Sequence, residues 1–287
     1  MAIAIVTGTS TGIGLATAAT LARAGHIVYA TMRNPETGSE ELRATAEREH
    51  LPVRIAALDV DSDESVRSAI KNILSEAGRI DVLVNNAGIS VLGAVEETSI
   101  AAFRATMETN YFGALRCIQA VLPGMRERRS GCIVNVTSVA GRLSAAPQAA
   151  YSSSKFALEA ASESLAQEMK AFGVRVAIVE PGVIATPIFG KLQPPAADSK
   201  YPHYRRIQEL FRASRENPVS PYVVGEKIRE IVESNTSKLR HPVGPDAEGL
   251  LGWRASMSDE QWVEWGAISD EEWVEYMRRA FKLNVSL

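Results

Sequence analysis

Short apolar runs alternate with longer amphipathic segments along residues 2–179 of the chain. The apolar runs are rich in valine and isoleucine and hydrophobic at consecutive positions, which is typical of parallel strands that are covered on both faces. The predicted strands lie at 2–7, 27–31, 53–58, 80–84, 132–136 and 174–179. Helical patterns lie at 14–24, 62–77, 100–128 and 150–172. This alternation predicts an α/β fold: a doubly wound parallel β-sheet with helices on both faces.

The alternation stops after the sixth predicted strand. Residues 184–221 contain six prolines and show no clear period. A loop of this length inside a compact domain is usually functional. Because it follows a strand at the carboxyl edge of the sheet, we predict that it is the substrate loop.

The C-terminal tail contains all four tryptophans of the chain. Ser258 and Ser269 each begin a short repeat, with Gln261 and Glu272 three residues further on, which is the pattern of a helix capping box. We therefore predict one domain over residues 1–245 and a helical C-terminal extension over 246–287 packed on the same domain. The sequence leaves open whether this extension lines the substrate pocket or a subunit interface.

The composition is that of an ordinary globular protein, with 46% hydrophobic and 23% charged residues. The net charge of −3 and the lack of a long basic run argue against nucleic acid or an anionic membrane as a partner. No apolar run reaches the roughly 20 residues of a membrane span, and no leader pattern precedes the first strand. We expect a cytoplasmic protein in which Cys117 and Cys132 stay reduced and no metal is bound.

A glycine-rich turn follows the first strand and opens the first helix. Its glycines permit a tight bend and a close approach of the backbone to a pyrophosphate, whose charge the helix N-terminus meets. Many glycine-rich loops are only turns, but this position in the chain favours a dinucleotide. The residues expected to contact it are Gly8, Ser10, Thr11, Gly12, Ile13 and Gly14.

The end of the second strand indicates which dinucleotide is bound. A site for NAD carries an acidic residue there, about 20 residues past the glycines, to bind the ribose 2′-hydroxyl. This chain has Arg33 and no carboxylate at that point. A guanidinium group can bind a 2′-phosphate through two parallel hydrogen bonds. We therefore predict that the cofactor is NADP(H).

Further motifs follow in a fixed order. Asn86, Ala87 and Gly88 follow the fourth strand, Asn110 lies in the long predicted helix, Ser138 follows the fifth strand, and Tyr151 and Lys155 stand four residues apart at the start of the next helix. Each motif alone is weak. Together with the glycine loop, over about residues 2–190, they resemble the short-chain dehydrogenase/reductase family. Residues 28–33 and 151–163, and less specifically 241–247, resemble hydroxysteroid and retinol dehydrogenases within it.

This resemblance implies a single-domain Rossmann-type sheet, a nicotinamide cofactor and a catalytic tetrad of Asn110, Ser138, Tyr151 and Lys155. Tyr151 would donate a proton to the substrate oxygen during reduction and accept it during oxidation. A phenol has a pKa of about 10, and we expect the positive charge of Lys155 to lower it. Ser138 would hold the substrate oxygen, Lys155 would also bind the ribose, and Asn110 would hold a water that connects Lys155 to solvent.

Other cofactor contacts carry over by position. Asp59, followed by Val60, matches the residue that binds the adenine, although its carboxylate could equally serve the start of the next helix. Asn86, Ala87 and Gly88 would line the cofactor. The segment expected to meet the nicotinamide carboxamide contains Pro181, Gly182, Val183, Ile184 and Thr186.

The expected activity is that of an NADP(H)-dependent carbonyl reductase or alcohol dehydrogenase acting on a bulky, apolar ketone or secondary alcohol. An epimerase or dehydratase would more usually carry a differently spaced glycine loop, and an enoyl reductase spaces its tyrosine and lysine more widely. A non-enzymatic NADP(H) sensor would generally lack the tyrosine. The helices at 100–128 and 150–172 commonly pair subunits in this family, so a homodimer or homotetramer is expected.

Overall fold

A single parallel sheet organises the protein. The computed structural model describes residues 1–188, 199–234 and 236–287. Its strands are β1 Ile3–Thr7, β2 Ile27–Met32, β3 Val53–Ala57, β4 Val82–Asn85, β5 Gly131–Val136, β6 Val174–Pro181 and β7 Arg240–Val243. They pair in the order β3-β2-β1-β4-β5-β6-β7, and every pair is parallel. The predicted Rossmann-type doubly wound sheet is therefore confirmed.

Helices cover both faces of this sheet. They are α1 Gly12–Arg23, α2 Pro35–Gly38, α3 Glu40–Glu49, α4 Asp63–Ala77, α5 Ile100–Met107, α6 Gly113–Arg128, α7 Ala149–Lys170, α8 His203–Ser214, α9 Tyr222–Glu233, α10 Ala247–Ala255, α11 Asp259–Ala267 and α12 Asp270–Phe281. In β1, Ala4 and Val6 pack into the core beneath α1 and α9, whereas Ile5 packs into the core beneath α4 and α6. Burial of both faces explains why the strands are apolar at consecutive positions.

The chain order reverses between β1 and β4, which are neighbours in the sheet. In open α/β sheets the loops on either side of such a point diverge and leave a crevice at the carboxyl ends of the strands. The loops after β1 and β4 therefore frame the place where a ligand is expected to bind.

Several parts of the chain differ from the sequence prediction. The helix predicted at 100–128 is interrupted by a π-turn at Glu108–Phe112, and α2 and α3 between β2 and β3 were not predicted. Residues 184–221 do not form one loop, because they contain α8; residues 189–198 of the predicted substrate loop lie outside the described residues. The strand β7 was not predicted, because it is a short edge strand that contains Pro242 and has little apolar periodicity.

The C-terminal extension forms helices α10, α11 and α12. Both predicted capping boxes are confirmed: Ser258 pairs with Gln261, and Ser269 pairs with Glu272. Trp273 and Met277 of α12 pack with Ala213 of α8 in a separate small core. Among the described residues, no helix is both long and apolar enough to cross a bilayer, and no cluster of side chains could hold a metal ion.

Candidate active site

A cavity of about 1380 Å³ runs from the carboxyl ends of the strands to the C-terminal extension. This volume exceeds the usual range of about 300–1,000 Å³ for sites that bind one small molecule. Most of the residues expected to bind cofactor or substrate line it: Gly8, Ser10, Thr11, Gly12, Ile13, Arg33, Asp59, Val60, Asn86, Ala87, Gly88, Ser138, Tyr151, Lys155, Pro181, Gly182, Ile184 and Thr186. Gly14 and Asn110 do not line it, contrary to the direct contacts that their motifs suggested.

The glycine loop begins at Gly8, which has a φ of +70°. A side chain there would collide with the backbone of Ala87, so the two loops touch only because this residue is glycine. Gly14 has no room for a side chain either, because Gly8 and Asn86 lie against it; its role is close packing under the loop rather than contact with a ligand. The side chain of Thr11 does not cap α1, so the N–H groups of its first turn remain available to an anion.

Asn86 and Thr7 hold the two loops together. The side-chain amide of Asn86 donates hydrogen bonds to the carbonyl oxygens of Thr7, at 2.9 Å, and Gly8, at 3.2 Å. The hydroxyl of Thr7 accepts from the backbone N–H groups of Asn86 and Ala87. Asn86 therefore fixes the shape of the glycine loop. The sequence analysis did not single out Thr7, because its contacts lie about 80 residues away in the chain.

Arg33 stands at the end of β2 with its side chain exposed. It forms no hydrogen bond or ion pair with any residue that the structure describes, so its guanidinium group is free to bind an anion. Ser10 lies near the same strand end, since a side chain on Gly38 would come within 3.3 Å of both Ser10 and Met32. Both side chains thus border the cavity on the β2 side of the glycine loop.

Asp59 serves the chain locally as well as lining the cavity. One carboxylate oxygen accepts a hydrogen bond from the N–H of Asp61 at 3.1 Å, and the N–H of Asp59 donates to the hydroxyl of Ser65 at 2.9 Å. Asp61 precedes α4, whose N-terminus is capped by the side chain of Ser62. The Asp59 carboxylate is therefore not the cap of this helix, and its other oxygen has no partner within the described chain.

The end of β5 packs against the first two turns of α7. The ammonium group of Lys155 donates to the carbonyl oxygen of Val136 at 2.9 Å and lies 5.7 Å from the centre of the Tyr151 ring. Ser138, at the start of the short 3₁₀ turn Val139–Gly141, lies beside the Tyr151 phenol, and its hydroxyl donates to the carbonyl oxygen of Pro181 at 3.4 Å. Ser138, Tyr151 and Lys155 are thus brought together at one wall of the cavity.

Burial shifts both ionisable groups. It raises the pKa of the Tyr151 phenol, against which the neighbouring Ser138 hydroxyl acts, and it lowers the pKa of Lys155 to about 8. The lowering of the Tyr151 pKa expected from the positive charge of Lys155 stays a prediction.

Asn110 is buried in the π-turn rather than exposed in the cavity. Its side-chain oxygen accepts from the N–H of Ile89 at 2.8 Å, and its amide donates to the carbonyl oxygen of Ile89 and the hydroxyl of Ser154, both at 2.9 Å. Both amide protons are used, so the expected water could not accept a hydrogen bond from this side chain. A water could still donate to the side-chain oxygen, which has a second lone pair, or to the main-chain carbonyl. The role expected of Asn110 stays a prediction.

Asp246 supports the segment that was expected to meet the nicotinamide. One oxygen of its carboxylate accepts from the N–H of Val183 at 2.8 Å, and the carboxylate lies so close to Gly182 that no side chain would fit there. Burial raises the pKa of Asp246. The sequence analysis noted residues 241–247 only as a resemblance, because nothing local indicates which strand end Asp246 contacts.

The C-terminal extension lines the far part of the cavity. Gly249, Gly252 and Trp253 of α10 face it, and nothing lies within 4 Å of the place where a side chain on either glycine would begin. The Trp253 ring packs edge-on against Trp262 and Trp265, with ring centres 5.0 and 5.1 Å apart. The tail thus contributes an apolar wall to the cavity. Lining a pocket is one of the two roles that the sequence left open for it.

Comparison with known proteins identifies the family. The family model described as "short chain dehydrogenase" matches residues 2–197. The chain therefore belongs to the short-chain dehydrogenase family. Retinol dehydrogenase 8 of Bos taurus is 41% identical over 269 residues, which cover 88% of this chain and 84% of that protein. The chain is therefore an oxidoreductase of this family, and the predicted resemblance is confirmed.

Solved structures agree with this assignment. A short-chain dehydrogenase from Streptomyces avermitilis superposes with a TM-score of 0.78 at 36% identity, covering 93% of this chain and 96% of that one. An actinorhodin polyketide ketoreductase variant crystallised with NADPH has a TM-score of 0.74 at 26% identity, covering 86% of this chain and 97% of that one.

Proposed function

We propose that the chain is an NADP(H)-dependent oxidoreductase that transfers a hydride between the nicotinamide and a ketone or secondary alcohol. The observation that carries this proposal is the arrangement of Tyr151, which lies beside Ser138 and one helical turn from Lys155, on the wall of a cavity that begins at the glycine loop. The ketoreductase structure with NADPH and the similarity to a retinol dehydrogenase support the same class of reaction.

The residues along the cavity fit a dinucleotide with a 2′-phosphate. The backbone of Gly8 and Gly12 and the uncapped start of α1 would hold the pyrophosphate, and Arg33 and Ser10 would bind the 2′-phosphate. Asp59 and Val60 would border the adenine. Residues 86–88 and 181–186 would border the rest of the cofactor, and Lys155 would bind its ribose hydroxyls.

When bound, NADPH supplies the hydride that reduces the carbonyl carbon. The protein's own residues hold the substrate oxygen and give it a proton. The Ser138 hydroxyl would donate a hydrogen bond to this oxygen and hold it next to Tyr151. The Tyr151 phenol would then donate its proton to the developing alkoxide, and the positive charge of Lys155 would stabilise the phenolate that remains. In the oxidative direction the same groups would act in reverse.

A panel of ketones tests this proposal. Loss of NADPH absorbance together with formation of the corresponding alcohol is the expected result for at least one bulky ketone. NADPH bound by the protein but consumed with none of the ketones, and no oxidation of the matching alcohols with NADP, would contradict the proposed reaction.

The open space beside α10 supports a bulky, apolar substrate, and Gly249→Ala tests this. Alanine favours helix over glycine by about 1 kcal/mol, so the variant should unfold at a higher temperature. Its methyl group would enter the cavity, so we expect kcat/KM for a bulky ketone to fall about tenfold, while a small ketone is unaffected.

Gly124→Ala, in α6 beside the flexible end of Arg128, is the matched control and should gain stability without any change in selectivity. Equal losses with both ketones would contradict this placement of the substrate.

We also propose that the chain forms a homodimer or homotetramer through α7 and the π-turn that packs on it. Phe112 and Phe156 are 44% and 42% exposed on these adjacent elements, which is unusual for large aromatic side chains outside an interface. Sedimentation should give an oligomer, and Phe156→Glu should shift it to the monomer. A monomeric wild-type protein would contradict this assembly.

A further inference from the structure

Helix α7 carries a third ionisable residue in line with Tyr151 and Lys155. Glu159 follows Lys155 by four positions, so the three side chains occupy successive turns on one face of the helix. Glu159 is only 4% exposed. A buried carboxylate costs several kcal/mol unless charged or hydrogen-bonding groups compensate for its lost hydration. The proposed reaction uses Tyr151 and Lys155 but gives Glu159 no task.

The end of β5 contacts all three side chains with three consecutive residues. Ser138 lies beside Tyr151, and the carbonyl oxygen of Val136 accepts from Lys155. Between them, Thr137 donates its hydroxyl proton to Glu159 at 2.7 Å. The segment that positions the phenol and the ammonium group therefore positions this carboxylate as well.

Charged side chains from two strands surround Glu159. The Nε–H group of Arg240 in β7 donates to Glu159 at 3.0 Å, and its Nη2 group donates to Glu163 at 2.8 Å. Glu180 of β6 is fully buried, and neither of its carboxylate oxygens has a hydrogen-bond partner within the described residues. Its nearest cations are Arg142 at 3.5 Å and Arg240 at 3.9 Å.

The buried carboxyl groups of Glu159 and Glu180 have different surroundings. Burial and the proximity of Glu159 raise the pKa of Glu180, so Glu180 binds a proton more readily than an ordinary glutamate. Glu159, unlike Glu180, has two hydrogen-bond donors, Arg240 and Thr137. Burial lowers the pKa of Lys155, and the negative charge of Glu159 is the influence that opposes this change.

We propose that Glu159 is a positioning residue whose buried negative charge keeps Lys155 protonated in the closed interior of the site. The proposal deepens the proposed function, because it supplies the condition under which Lys155 can stabilise the Tyr151 phenolate. The interaction between the charges of Glu159 and Lys155 is present in the folded protein without substrate, however, so it can be measured without turnover.

An NMR titration of isotope-labelled lysine side chains measures the coupling directly, with Lys155 assigned from its absence in Lys155→Arg. We expect a midpoint of about 8 in the wild type. In Glu159→Gln it should fall by about one pH unit, because the opposing charge is lost. Glutamine can keep both contacts: its carbonyl oxygen accepts from Arg240, and its amide donates to Thr137, whose own proton can go to Val179.

Glu163→Gln is the matched control. Glu163 follows Glu159 by one turn and binds the same Arg240, but its side chain is 52% exposed to solvent. The charge lost is the same, yet water screens it, so the Lys155 midpoint should stay unchanged. A purely structural role for Glu159 predicts an unchanged midpoint in both variants, and that outcome would overturn the proposal.

The pH dependence of turnover provides the second measurement. Lys155 is charged below its pKa, so kcat/KM for ketone reduction by the wild type should fall as the pH rises through about 8. The pKa of Tyr151 is raised from its usual value, so its ionisation lies at higher pH. In Glu159→Gln the fall should begin at lower pH, and Glu159→Asp, which restores the charge, should return it toward the wild-type position. If kcat/KM of Glu159→Gln falls at the same alkaline pH as that of the wild type, the proposal is contradicted.

If Glu159→Gln does not fold, Glu159→Met addresses the same coupling, because it removes the charge and fills a similar volume with an apolar side chain. The Lys155 midpoint should again fall by about one pH unit, and an unchanged or higher midpoint would overturn the proposal. A wild-type protein that reduces no ketone would contradict the proposed function, while the NMR titration would still decide the coupling between Glu159 and Lys155.

Discussion

Replacement of Tyr151 by phenylalanine should lower kcat for ketone reduction about a thousandfold, in line with the usual contribution of a positioned general acid. The phenol lies beside Ser138 and is the proposed proton donor, so its removal leaves the developing alkoxide without a proton source. NADPH should still bind, because the glycine loop, Arg33 and Lys155 remain. Stopped-flow turnover and fluorescence titration of NADPH measure the two effects separately.

The matched control for this variant is Tyr222→Phe. Tyr222 stacks under Arg23 at the start of α9, on the opposite face of the sheet from α7, and is not among the residues that line the cavity. It should keep wild-type kcat. A Tyr151→Phe protein that binds NADPH and turns over at the wild-type rate would mean that the proton comes from elsewhere.

Replacement of Arg33 by aspartate should reverse the cofactor preference. Arg33 has no partner among the described residues, so its guanidinium group is available to a 2′-phosphate, and a hydrogen bond to a charged group contributes about 1.5–3 kcal/mol. Aspartate would remove this contact, repel the phosphate and accept a hydrogen bond from the 2′-hydroxyl of NADH. We expect the ratio of kcat/KM for NADPH to that for NADH to fall on the order of a hundredfold.

The same charge change elsewhere shows whether the effect is local. Arg67 lies on the exposed side of α4 and is paired with Glu64, so Arg67→Asp alters the net charge of the protein equally without touching the cavity. Its cofactor ratio should match the wild type. An unchanged ratio in Arg33→Asp, or an equal change in Arg67→Asp, would contradict the assignment of Arg33 to the 2′-phosphate.

The sequence could predict those parts of the protein that depend on neighbours in the chain. Capping boxes such as Ser258 with Gln261 join residues three positions apart, and Tyr151 and Lys155 are adjacent on any helix. The apolar strands could be recognised because both faces of the sheet are buried. For these features, residue type and spacing along the chain determine which residues meet.

The contacts that shape the site depend on pairs far apart in the chain and were not predicted. Thr137 meets Glu159 only because β5 and α7 pack together, and Asp246 meets Val183 only because β6 and β7 are neighbours. The same holds for Asn110, whose side chain is hydrogen-bonded to Ile89 and Ser154. The burial that raises the pKa of Tyr151 is likewise a property of the packed site and could not be predicted from neighbours in the chain.

The most direct test of the central claim is to follow the hydride itself. The wild-type protein is incubated with NADPH that carries deuterium at the transferable position of the nicotinamide, together with a ketone that it reduces. We predict one deuterium on the carbinol carbon of the alcohol, with a single stereochemistry, in an amount equal to the cofactor consumed. An alcohol that contains only solvent hydrogen at this carbon, although the NADPH is consumed, would contradict the account.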